Sequence, residues 1–230
     1  MNTESLAGLN WADIESELNR EGYALLPGLL APSEVQKIAQ ELIRDTDAIV
    51  RQRGTEAPYS QGSSAVLTSE LPEALRTLRE GCYQHLKSLA SVWDELMGID
   101  AAAIKVEQAK GKGVYGAVQT LGEHEYQALT QNPNTQFPVQ LVMVLSNPGT
   151  DFTGGQFVMT EQRPRMQSRP IVLPLAVGDV ALIATAHRPF KGTKGYYRVN
   201  MKHAISRVRS GKRVGLELLL DHNPQVSTGE

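Results

Sequence analysis

The sequence predicts an α+β protein in which N-terminal helices pack on a C-terminal double-sheet barrel. Three observations carry this expectation. The first hundred residues hold apolar side chains mostly at helical spacing. After Asp100 the chain turns to short, strand-like runs. Gly, Pro, Asn and Asp mark the boundaries of those runs at regular intervals, as in a β-sandwich or barrel.

The elements follow in order. WADIESELNREG has Trp11, Ile14 and Leu18 on one helical face and Gly22 as its stop. YALLPGLL (23–30) reads as a first strand. PSEVQKIAQELIRDTDAIVRQRG (32–54) opens with the helix-entry pair Pro32-Ser33 and carries Val35, Ile38 and Leu42 at helical spacing. Residues 53–66 are rich in Gly, Ser and Pro and read as a loop. LPEALRTLREGCYQHLKSLASVWDELMG is helical, broken or continuous near Gly81. Strands are expected in VYGAVQTL (114–121), FPVQLVMVLSN (137–147), GGQFVMTEQ (154–162), 169–186 with a turn at Ala176–Gly178, and 202–221 with a turn at Ser210-Gly211. The expected division is one domain, 1–230, with a mainly helical part over 1–100 and the β core over 101–230.

Composition narrows the function classes. Hydrophobic residues make up 41% and charged residues 21%, as in ordinary globular proteins. A net charge of −2, four Phe and two Trp give little support to a nucleic-acid partner. The lone Cys82 sits in a helical pattern and reads as a buried thiol in a reducing compartment. The N-terminus lacks a signal-peptide pattern, and no apolar run reaches the ~18 residues of a membrane span, so a cytoplasmic protein without membrane contact is expected. The oligomeric state is not legible.

KHAISRVRSGKR (202–213) reads as a hairpin with His203 on one arm and Arg213 just past the turn. A two-residue loop, Ser210-Gly211, puts these two side chains on opposite faces. A three-residue loop, Ser210-Gly211-Lys212, puts them on one face, about 13 Å apart at ~3.3 Å per residue.

The strings DFTGGQFVMTEQRPRMQSR (151–169), HRP (187–189) and YRVNMKHAISRVRSG (197–211) closely resemble a bacterial family of non-haem Fe(II)/2-oxoglutarate-dependent oxygenases, relatives of the prolyl hydroxylases. The likeness is most specific over 137–213 and looser upstream. It implies a double-stranded β-helix (jelly roll) with the N-terminal helices packed against it. It also implies Fe(II) and 2-oxoglutarate as cofactors and oxidation of a small-molecule C–H bond. In such a site a His-x-Asp pair on one strand and a distal histidine on a later one hold the metal and leave positions open for cosubstrate. The distal histidine falls on His203. The arginine for the far carboxylate of 2-oxoglutarate falls on Arg213, whose guanidinium grips a carboxylate in two parallel bonds.

The sequence departs from the family at the His-x-Asp pair. Anchoring on FPVQ puts it at Ala128-Leu129-Thr130, so both ligands are absent. Anchoring on VYGA puts it at His124-Glu125-Tyr126, which keeps the histidine as a metal ligand and replaces the aspartate with tyrosine; a third option pairs His124 with Glu123 or Glu125 as an off-register carboxylate. The first alignment favours a degenerate relative that has lost iron and works as a binding module or by metal-independent chemistry. His187 either lines the cavity mouth against substrate or caps a loop. Arg198 either meets substrate or stands on an exposed strand face. His85 and His222 are expected to be uninvolved.

Overall fold

A computed structural model of the protein describes residues 6–44, 50–52, 60–68, 71–99, 114–133 and 135–220. Helix α1 (Trp11–Glu21) starts at Asn10, whose side chain accepts a hydrogen bond from the Asp13 amide, and ends where Gly22 turns left-handed at φ +78°. It buries Ile14 and Leu18. After strand β1 (Tyr23–Leu26), helix α2 (Pro32–Arg44) follows. Helix α3 (Glu73–Met97) runs unbroken through Gly81, where a Cβ would lie 2.4 Å from Leu6 Cδ1. The glycine makes room for that leucine. Leu75, Leu78, Cys82, Leu86 and Trp93 face the core, each large side chain contributing roughly 1.5–3 kcal/mol by leaving water. Trp93 Nε1 donates to Asn19 Oδ1 at 2.6 Å and ties α3 to α1. Cys82 is buried, and its thiol is pushed up to about 12 by desolvation. None of the described helices is long and apolar enough to cross a membrane.

The rest is antiparallel sheet. Strands β2 (Val50–Gln52), β3 (Ser63–Leu67), β4 (Gly116–Leu121), β6 (Val139–Val144), β10 (Val180–Ala184) and β14 (Arg213–Leu219) join β1 in a seven-stranded sheet, ordered β1-β10-β6-β14-β4-β3-β2. Strands β8 (Phe157–Gln162), β9 (Arg169–Leu173), β11 (His187–Gly192) and β12 (Gly195–Ile205) form a second sheet, ordered β11-β12-β8-β9, with β5 (Gln127–Thr130) also pairing β12. Strand β7 (Phe152–Gly154) pairs β13 (Val208–Gly211). The two larger sheets lay their inner faces together as a jelly roll, and the helices complete the α+β fold.

Four expectations need correction. The helical stretch expected over 32–54 ends at Arg44 in α2, and Val50–Gln52 pair with β3 as strand β2. Residues 202–213 do not form a hairpin, because β12 and β14 lie in different sheets. The chain leaves the second sheet after Ile205, pairs with β7 as β13, and enters the first sheet at Arg213. Gly211, at φ +80°, is a close approach rather than a hairpin turn: a Cβ there would fall 2.0 Å from Asp151 O. The loop expected over 53–66 ends in strand β3, since Ser63 to Leu67 pair with β4; residues 53–59 lie outside the described part. The Ala176–Gly178 turn exists, with Asp179 N donating to Ala176 O at 3.1 Å, but it links strands of different sheets.

Candidate ligand site inside the barrel

Alternate residues of a strand share a face, so Arg213, Gly215 and Glu217 of β14 point the same way. On β4 their partners are Leu121, Gln119 and Ala117. His203 stands on the inner face of the opposite sheet. His203 Nε2 lies 3.4 Å from Glu217 Oε1, so this pair bridges the two sheets. Gln119 Nε2 donates to the same Oε1 at 2.7 Å. Burial pushes the Glu217 carboxyl up, but His203, the Gln119 hydrogen bond and the Arg213 charge together hold it below the usual carboxylate value.

Arg213 is 3% exposed. Its Nε donates to Gly155 O at 2.9 Å. Two glycines give its side chain room: a Cβ on Gly155 would meet Cδ at 3.0 Å, and one on Gly215 would meet Nη1 at 2.5 Å. Burial lowers its pKa to about 10, against the pull of Glu217. Arg213 Nη1 and His203 Nδ1 are buried without a hydrogen-bond partner, and His203 Nε2 has only its 3.4 Å contact with Glu217. The His203 ring lies parallel to Phe157, centroids 5.8 Å apart. An unpaired buried polar atom costs about 1–3 kcal/mol, and Arg213 Nη1 carries that cost at this site.

The strand facing His203 is β5. Thr130 is its Cα partner, and the next pair is Ile205 with Gln127. The register slips between these pairs, so Ala128 and Leu129 both stand opposite the single residue Ala204. With Val158 and Thr160 they line an open groove of about 390 Å³ on the outer face of the sheet.

The other predicted site residues do not join His203. His124 lies in the loop between β4 and β5 at φ +70°, its side chain 73% exposed and 3.5 Å from Glu123. His187 pairs with Asn200 across β11 and β12, on the face opposite His203. Desolvation, with the nearby Arg198 charge, lowers its pKa. Arg198 is on that outer face too and donates to Met97 O at 2.6 and 2.8 Å, closing the C-terminus of α3. His85 stacks on Trp11 at 4.2 Å, and His222 lies outside the described residues. Among the described residues, no three His, Cys, Asp or Glu side chains converge as a metal site. Sequence reasoning missed Glu217, Gln119 and Gly215. The signal was present for Glu217, which shares the parity of Arg213 in RVGLE.

Residues 62–223 match a protein family described as "Oxygenase, catalysing oxidative methylation of damaged DNA". Two uncharacterised proteins from strains of Mycobacterium tuberculosis are 30% identical to this chain over 165 residues, covering 67% of it and 71% of their own length. Among solved structures, the non-heme α-ketoglutarate-dependent epimerase SnoN from nogalamycin biosynthesis aligns with TM-score 0.56 and 14% identity, covering 95% of this chain and 91% of its own. The α-ketoglutarate-dependent carbocyclase SnoK aligns with TM-score 0.53 and 13% identity, covering 97% and 90%. A Pseudomonas putida prolyl-4-hydroxylase aligns with TM-score 0.51 and 14% identity, covering 93% and 100%. At these identities the structures share a fold. The family match spans most of the chain, from β3 through β14, and by it this protein belongs to that oxygenase family.

Proposed function

We propose that the barrel interior binds a small carboxylate through Arg213 and that the iron chemistry implied by the family has been lost from this chain. The observation that carries the reading is Thr130, a hydroxyl, as the strand partner of His203. Among the described residues, no donor set fits the three-donor Fe(II) site of the resemblance. His203 and Glu217 supply two donors across the sheets. Ala128 supplies none, and the His124 side chain is solvent-exposed. The anion-binding half fits better. A buried guanidinium with a free N–H is costly alone and is offset by a carboxylate in its fork.

Calorimetry with a panel of small 2-oxo, amino and simple carboxylic acids, in chelator, tests this. At least one is expected to bind without metal, and Arg213→Met is expected to weaken it more than tenfold, about 1.4 kcal/mol. Unchanged affinity in that variant, or binding that requires Fe(II), would overturn the reading.

A second reading has its own support. From Val180 to Leu216 there is no Asp or Glu, and Lys191, Lys194, Lys202, Arg207, Arg209 and Lys212 are exposed. The description of the family names damaged DNA. Anisotropy titrations of single-stranded and duplex DNA are expected, on this reading, to show log K falling linearly with log salt. Absence of binding at low salt removes it.

A further inference from the structure

We propose that the groove on the outer face of the second sheet is a separate binding site, which takes a small amphipathic carboxylate with an aliphatic body. The groove lies at the register slip between β5 and β12, where Ala128 and Leu129 stand opposite the single residue Ala204. A bulge of this kind bends its strand and breaks the ladder locally. The space measures about 390 Å³, within the range of small-molecule sites. Its walls are mostly apolar. Ala204 pairs with Val158, and Val158 with Val172, so Leu129, Ala204, Val158 and Val172 form an aliphatic row across four strands. Leu129 keeps 49% of its surface in water and Val172 keeps 57%. An aliphatic guest laid along this row removes that surface from water.

The sign of the guest's charge follows from Arg207, the one charged residue of the lining. Its guanidinium lies 5.8 Å from the centre of the Tyr126 ring and has no ion-pair partner among the described residues. The acids of the neighbouring turn are engaged within it. Glu125 Oε2 accepts from Gly122 N at 2.6 Å, and Glu123 lies 3.5 Å from His124. Lys202, exposed on the same face as the strand partner of Thr160, puts a second cation beside the groove. Gln127 Oε1, also of the lining, is itself buried and so presents no acceptor that would repel a carboxylate. A guest with an aliphatic body and one negative charge answers both features. A neutral hydrocarbon leaves the guanidinium unpaired, and a small polar anion leaves the aliphatic row in water.

Octanoate and octanamide share the aliphatic body and differ in charge. Calorimetry on the full wild-type chain is expected to show octanoate binding at least tenfold more tightly. From pentanoate to octanoate the affinity is expected to rise about twofold per CH2, half the ~fourfold of a fully enclosed methylene, because an open groove covers the chain on one side. Arg207→Gln is expected to bring octanoate down to the level of the amide, and Ala204→Phe to remove both by filling the groove. Equal binding of acid and amide overturns the inference, and so does a flat chain-length series or no octanoate binding at all. Octanoate binding that is kept in Arg207→Gln and lost in Arg213→Met assigns the ligand to the interior; it overturns this inference and leaves the Arg213 reading standing. The wild-type comparison and the exposed Arg207→Gln substitution decide the matter even if Ala204→Phe does not fold.

Discussion

The guanidinium of Arg213 occupies space that any side chain at position 215 would claim. Alanine there would put its Cβ 2.5 Å from Nη1, the movable end of a long side chain. The fold can yield at that end, so Gly215→Ala is expected to leave the urea midpoint nearly unchanged while weakening carboxylate binding roughly tenfold, about 1.4 kcal/mol. Equal losses in both measurements would assign Gly215 to stability alone. Single residues were legible in the sequence only where a motif named them. His203 and Arg213 came from the resemblance, and the structure brings both close enough to Glu217 to hold its carboxyl below the usual value. Glu217 itself was passed over because reading stopped at the arginine. GEHEY offered a histidine beside two carboxylates, but a tight turn at φ +70° sends the His124 side chain into water.

Elements were legible where periodicity was long and strong, as in α1 and α3. Strand partners were not. Residues 202–213 alternate like a hairpin, but the short pairing of β13 with β7 diverts the chain to the other sheet. Local pattern fixes parity, while long-range pairing decides which sheet receives it. Strand β5 went unrecognised because four residues, QALT, with a register slip carry almost no alternation. The outer strands of the second sheet are tied by charge. Glu161 on β8 meets the buried Arg188 of β11, bonds Arg163 at 2.8 Å, and lies 3.5 Å from Arg169 of β9, which reaches Glu21 of α1 at 2.7 Å. Burial pushes the Glu161 carboxyl up, but the Arg188 and Arg163 bonds outweigh it and hold it below the usual 4.5. A folded pKa below the unfolded one adds stability that is complete above the unfolded value and fades as pH falls through the folded one. Glu161→Gln is therefore expected to cost about 3–5 kcal/mol at pH 7, leaving Arg188 buried and unpaired. The difference from wild type should shrink on acidification. Urea unfolding at pH 7 and pH 4 checks this, and an equal loss at both would contradict it.

The whole molecule was legible as a class. Regular turn signals after Asp100 predicted two packed sheets, and the resemblance supplied the jelly roll. What the sequence left open was which alignment of the His-x-Asp pair the fold adopts, since that depends on how β5 registers against β12. The structure pairs Thr130 with His203, and among the described residues no third His, Cys, Asp or Glu side chain joins His203 and Glu217. The most direct measurement is an anaerobic Fe(II) titration of the full chain with 2-oxoglutarate, followed by air and quantification of succinate. The account predicts no metal bound near one equivalent and no succinate above a protein-free control. One equivalent of Fe(II) bound together with repeated turnover to succinate would contradict it.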